Sequence, residues 1–217
     1  MQKIATYKNQ IINWINDALN KKLNVFEYIC SQIHGQTVNK KIKGDLFEVF
    51  SLMYLKGKGY NGWLLADVPN NILTLLGLTK RDMGIDVIIE YDGEFSAVQC
   101  KYKHKYDSPI GKIYDKYNGL GWKHLSTFYG LCARSGPWAK HIIMTSADTI
   151  TIPGTNGIKD EIISYKVLYD VGNKFWDNII ITNLDKNIVT EKEYNKYPTI
   201  DQLRELRSLY YLRKTIN

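Results

Sequence analysis

Cysteine is scarce and unpaired in this chain. Three occur in 217 residues, at Cys30, Cys100 and Cys132, with no C-x-x-C spacing. An odd, scattered set excludes a disulfide framework and a cysteine-based zinc site. It predicts reduced thiols in an intracellular protein. The four histidines, His34, His104, His124 and His141, show no metal-ligand spacing and no paired nucleophile. A Walker-type glycine loop is missing, which excludes ATP hydrolysis by that route. No apolar run approaches the roughly 20 residues of a membrane span, and the opening MQKIATYKNQ lacks the hydrophobic centre of a signal peptide. No membrane partner is expected. Internal repeats and low-complexity linkers are absent too.

What is present is an ordinary globular composition, 44% hydrophobic and 24% charged, long enough for one sizeable core. Lysine and arginine outnumber acids by 29 to 22, a net charge of +7. Such an excess suits a polyanionic partner. Sixteen tyrosines and five tryptophans fill the core for the most part, with some free to stack on bases.

The chain centres on RDMGIDVIIEYDGEFSAVQCKYKHK, residues 81–105. Ile85, Val87 and Ile89 alternate with Asp86 and Ile88, and Phe95, Ala97 and Val98 carry a second strand. Asp92-Gly93 between them is a tight-turn signal. Pairing across that turn brings Asp86 near Gln99 and Lys101. Strand alternation puts Gln99 and Lys101 on one face and Cys100 on the other. Gly84, just before the acid, is where backbone can approach a ligand closely. Polar groups interrupting a buried hairpin have a ready use in metal-assisted cleavage.

Upstream, residues 3–20 and 25–33 have the spacing of amphipathic helices. Residues 40–56 predict a helix with a broad apolar stripe from Leu46 to Tyr54. Glu48 sits within that stripe, where a carboxylate is costly unless paired or metal-bound; Asp45 is a weaker second candidate. Residues 63–68 read as a short strand, and 69–77 as a helical insertion placed to overhang the site. After the hairpin, Lys103, Lys105, Lys112, Lys116 and Lys123 interleave with Tyr102, Tyr106, Tyr114, Tyr117 and Trp122, a pattern suited to backbone contacts with nucleic acid. Residues 125–134 read as a helix and HIIMTS, 141–146, as a buried strand parallel to its neighbour by the right-handed crossover rule. Ser146 ends that strand, at a turn or at the lip of the cleft. TITIPGTNG reads as a loop, 165–169 as an edge strand, 175–181 as helix or strand, and 200–213 as a helix with a leucine stripe.

Gly44-Asp45-Leu46-Phe47-Glu48, then Asp82-x-Gly84-Ile85-Asp86, then Gln99-Cys100-Lys101 together resemble the PD-(D/E)xK restriction-endonuclease-like nuclease superfamily. The likeness is to its branch with glutamine in place of the middle acid, which includes nucleases that restrict modified DNA and helicase-associated nuclease domains. It runs from about Lys41 to about Ala147. The resemblance implies an α/β fold, a restriction-endonuclease-like core with a central mixed sheet flanked by helices, here with an N-terminal helical extension. The expected division is residues 1–37 as that extension, 38–150 as the nuclease core and 151–217 as a C-terminal extension, packed as one globular unit.

The implied activity is Mg²⁺-dependent endonucleolytic hydrolysis of DNA, with Glu48, Asp86, Gln99 and Lys101 as the catalytic set. Mg²⁺ would be held by Asp86, the Gln99 side chain, the Cys100 backbone carbonyl and, through water, Glu48, with Mn²⁺ able to substitute. Lys101 would orient the attacking water or stabilise the phosphorane. Glutamine in place of an acid removes a negative charge and predicts millimolar metal demand. Lys103, Lys105, Lys112, Lys116 and Lys123 are the expected nucleic-acid contacts. The rival reading is a catalytically weak or inactive nucleic-acid-binding module of nuclease fold, or a nuclease domain working with a separate helicase; a homodimer is compatible with either.

Overall fold

The computed structural model describes residues 2–36, 39–103, 119–150 and 159–185. Two helices come first, α1 (Gln2–Asn20) and α2 (Val25–Gln36), followed by α3 (Lys40–Gly57). Asn39 caps α3, its side-chain oxygen accepting from the amides of Lys41 and Ile42 at 2.9 and 3.4 Å, the usual way to satisfy first-turn donors. Strand β1 (Asn61–Leu64), helix α4 (Asn70–Leu76) and the hairpin β2 (Val87–Tyr91) and β3 (Glu94–Lys101) follow. The remainder is β4 (Gly119–Leu120), α5 (Trp122–Arg134), β5 (Lys140–Thr145), β6 (Thr149–Ile150), β7 (Lys159–Ile163), α6 (Tyr165–Tyr169) and α7 (Asn173–Asp185).

Five strands form one mixed sheet in the order β1-β2-β3-β5-β7. The β1–β2 and β2–β3 pairs are antiparallel, and β3–β5 and β5–β7 are parallel. The hairpin turns at Asp92 (φ 51°) and Gly93 (φ 79°), the two left-handed positions a type I′ turn requires. Alternation along the strands splits the core between two faces. Val87, Ile89, Val98, Cys100, Ile142 and Met144 pack under α3 with residues of α1, α2 and α7. Ile88, Ala97 and Ile143 pack on the other face against α4 and α5. The fold is therefore α/β, a central mixed sheet flanked by helices, with α1 and α2 continuous with the α3 side of the core.

Several expected elements differ. Residues 165–169 form a helix, not an edge strand: Tyr165 and Tyr169, one turn apart, stack at 5.8 Å, and Leu168 buries completely. The edge strand on that side is β7. Residues 175–181 lie inside α7. The strand expected over 63–68 ends at Leu64, where residues 65–67 turn as a 3-10 helix. Thr149–Ile150, expected in a loop, pairs in parallel with β4. The helix expected over 200–213 lies outside the described residues. All three cysteines are free and buried. No described helix is long and apolar enough to cross a membrane.

Candidate active site

Strand register gathers several chain ends at one end of the sheet. Leu64 of β1 faces Val87 at the start of β2, and Lys101 at the end of β3 faces Thr145 at the end of β5. Asp86 stands one residue before β2. Its N–H donates to the Val98 carbonyl at 2.9 Å and its own carbonyl accepts from Leu65 at 3.0 Å, so its backbone is fixed on both sides.

The Asp86 carboxylate is gripped by the opposite strand. Cys100 N–H donates to Oδ2 at 2.7 Å, and the Gln99 amide donates to the same oxygen. Both donors take Oδ2, which leaves the lone pairs of Oδ1 for another partner. A strand residue's N–H and C=O point to the same side, so the Cys100 carbonyl is directed to the side on which Asp86 sits. Gln99 is only 2% exposed. A glutamine this deeply buried needs partners, and Asp86 is one.

Glu48 arrives from the other face of the sheet. It is half-buried on α3 between Phe47 and Val49, both in the core. Burial pushes its carboxyl up to about 8, the negative charges of Asp86 and Asp45 add to that, and Lys41 and Lys101 act against it. Asp86 is raised as well, first by burial, with the Cys100 N–H, Lys101 and the Gln99 amide opposing. Two carboxyls within electrostatic reach of each other and of Lys101, both disfavoured as anions, form a site short of positive charge. Asp45 instead pairs with Lys41 at 3.4 Å along α3.

The turn into β2 has a structural task in the packing against α5. Gly84 (φ 120°) lies close against helix α5: a Cβ there would lie 3.0 Å from the Thr127 carbonyl oxygen. Asp82 accepts from Thr79 N–H and meets Arg134 of α5 at 3.4 Å. Both residues of the motif fix the loop that delivers Asp86.

Among the expected nucleic-acid contacts, Lys103 lies two residues past the end of β3 and Lys123 is exposed in the first turn of α5. Lys105, Lys112 and Lys116, with His104, lie outside the described residues. Helix α5 runs back from the Lys101 end of β3 to the start of β5, so its first turn stands at the site end. There His124 accepts from the Gly121 N–H at 3.2 Å, and burial followed by the charges of Lys103, Lys123 and Lys101 lowers its basicity. Tyr102 does not stand free for stacking on a base. Its hydroxyl donates to the Cys30 carbonyl at 2.9 Å and its ring packs 5.8 Å from Phe47.

Two further residues take part: Ser146, expected at a turn or at the lip of the cleft, and Thr145, which the sequence did not single out. Thr145 Oγ1 donates to the Lys101 carbonyl at 2.6 Å, and Ser146 Oγ bonds both the N–H and the carbonyl of Lys103 at 2.7 Å. The signal was a polar Thr-Ser pair closing an apolar strand. A cleft of about 650 Å³ runs along the outer edge of β1, lined by Leu52, Trp63 and Glu90 among others, and includes none of Glu48, Asp86, Gln99 or Lys101.

Among the described residues no cluster of three or more His, Cys, Asp or Glu side chains is poised to hold a metal; the sheet-end site offers two carboxyls, an amide and a backbone carbonyl. No curated protein matches the chain, and neither does any solved structure. A family model described as restriction endonuclease matches residues 55–171. The match takes in the whole hairpin with Asp86, Gln99 and Lys101, begins just beyond Glu48, and spans just over half of the sequence: the chain belongs to the restriction endonuclease family.

Proposed function

We propose that this protein is a metal-dependent DNA endonuclease of the PD-(D/E)xK type, in the branch that carries glutamine in place of the middle acid. The observation that carries this reading is the grip of Cys100 N–H and Gln99 on one oxygen of Asp86, with the half-buried Glu48 carboxyl and Lys101 in electrostatic reach. The donor set fits a hard cation. Two mutually repelling carboxyls lack a neutralising charge, and the ligand chemistry is oxygen throughout. With so few protein ligands it suits Mg²⁺, which keeps several waters.

Asp86 Oδ1, the Gln99 carbonyl oxygen and the Cys100 carbonyl would hold the ion, with Glu48 reaching it through water. When bound, the cation supplies neutralisation of the charge growing on the phosphorus oxygens and acidifies water. The chain's residues do the positioning. Gln99 and Cys100 fix the Asp86 carboxylate, Glu48 orients the attacking water from the α3 side, and Lys101 lies against the scissile phosphate. Lys103 and Lys123 contact flanking phosphates, together with Lys105, Lys112 and Lys116.

The division at residues 37 and 150 belongs to the same reading; the core cluster shared by α1, α2 and α3 supports their packing as one globular unit. Cutting both strands of a duplex calls for two such sites, which a two-fold homodimer would supply.

The test is nicking of supercoiled plasmid with Mg²⁺, Mn²⁺ or EDTA. Asp86→Ala and Lys101→Ala should each abolish nicking while circular dichroism and melting stay near wild type. The rival, a binding module without efficient cleavage, is favoured by the small number of acids at the site. It predicts salt-sensitive binding and no nicking; Mg²⁺-dependent nicking that needs Lys101 excludes it.

A further inference from the structure

Where β3 and β5 part, two hydroxyls continue their pairing. Lys101 is the last residue of β3, and its carbonyl accepts from Thr145 Oγ1 at 2.6 Å and from Ser146 N–H at 3.4 Å. Two residues on, the parallel ladder would send Lys103 N–H to the Ser146 carbonyl. It goes instead to Ser146 Oγ, which also donates to the Lys103 carbonyl. Thr145 Oγ1 is used a second time, accepting from Ala147 N–H at 3.0 Å. Thr145 and Ser146 are 0% and 2% exposed. Buried hydroxyls of this kind serve the protein's interior, and these two serve the main chain on either side of Tyr102.

The result is that the strand's alternation outlasts its ladder. Tyr102 goes to the α3 face, where its hydroxyl meets the Cys30 carbonyl and its ring meets Phe47. Gln99, Lys101 and Lys103 then share the opposite face, toward the first turn of α5, in agreement with the charge that Lys101 and Lys103 both exert on His124. Residues two apart on an extended strand are about 6.8 Å apart. That spacing is commensurate with neighbouring phosphates along one nucleic-acid strand.

We propose that the Thr145–Ser146 hydroxyl pair is a positioning device that holds Lys103 in register with Lys101, so that the two lysines take successive phosphates of the cleaved strand. The inference rests on the nuclease reading above. Thr145 and Ser146 touch no substrate; they act through the backbone of Lys101 and Lys103. Without Ser146 Oγ, the chain beyond Lys101 loses both bonds to Lys103 and the second cation loses its fixed place.

The experiment is the salt dependence of duplex DNA binding in EDTA, where cleavage is blocked, for wild type, Ser146→Ala, Lys103→Gln and the double variant. A lost phosphate contact lowers the slope of log K against log salt by about 0.9. Ser146→Ala should lower it by about that amount, Lys103→Gln by the same, and the pair together by no more than either alone. Thr145→Ser should keep the wild-type slope and rate, and Thr145→Val should lower kcat with KM little changed. The slope does not depend on the folded fraction, so a variant that is merely less stable keeps it. Wild-type slope in Ser146→Ala, or additive losses in the double variant, would overturn the proposal. Wild-type protein that neither binds nor nicks DNA would overturn the nuclease reading itself.

Discussion

Glu48 carries the clearest consequence at the scale of a single side chain. Its folded value of about 8 stands far above that of an unfolded glutamate, about 4.3. The folded state therefore holds this proton more tightly, and stability falls as pH rises from about 4.3 towards 8. Glu48→Gln, which keeps the shape of the protonated form, should raise metal-free stability at pH 8.5 by about 1–3 kcal/mol and do little at pH 4. Denaturant melts at the two pH values check this. The same variant should lose plasmid nicking, because the amide cannot supply the anion that orients water. Cation binding at pH 7 should release protons from the pair of Glu48 and Asp86, measurable as a buffer-dependent heat in titration calorimetry. The odd placement of this residue was legible in the sequence as an acid on an apolar helical stripe. Its coupling to Asp86 was not, because the two approach from opposite faces of a sheet whose register no local pattern encodes.

At the scale of elements, the hairpin explains why so much of the site could be read in advance. Asp86, Gln99 and Lys101 fall within one short stretch, and the Asp92-Gly93 turn fixes their relative register locally. Elements set by tertiary packing were read less well. The run YKVLY fits both strand and helix periods, and what settles it is Leu168 burying completely and the edge-to-face contact of Tyr165 with Phe26 at 5.4 Å. The close contact of Gly84 with α5 was not legible, since the helix it meets is more than forty positions later. Gly84→Ala tests that contact. A methyl 3.0 Å from the Thr127 carbonyl, at φ 120°, should cost about 1–3 kcal/mol and shift the loop carrying Asp86. Nicking should fall by more than the loss of folded protein explains, a comparison that melting curves and rate assays on the same samples provide.

For the molecule as a whole, the division of labour follows the sheet. Its antiparallel half supplies the acid and the residues that grip it; its parallel half supplies the backing strand and, through α5, a cationic flank. Lys101, Lys103 and Lys123 gather near one helix turn, while Lys140 at the opposite end of the sheet is answered by Glu161 at 2.9 Å. Because the site presents two carboxyls, and glutamine where a third acid would bring another charge, half-maximal nicking should need millimolar Mg²⁺, with Mn²⁺ more effective. Full activity at micromolar Mg²⁺ would refute this.

The grip on Asp86 also bears on the order in which the protein assembles. Its members are near neighbours along the chain, joined by a two-residue turn, and local closures of this kind form in microseconds. Glu48 and the Thr145–Ser146 pair must wait for contacts across much longer separations, which are slower to form. Pulsed hydrogen exchange during refolding should therefore protect the Cys100 amide before that of Lys103. The acid's holder is built first, and the groups that would make it a nuclease are added to it.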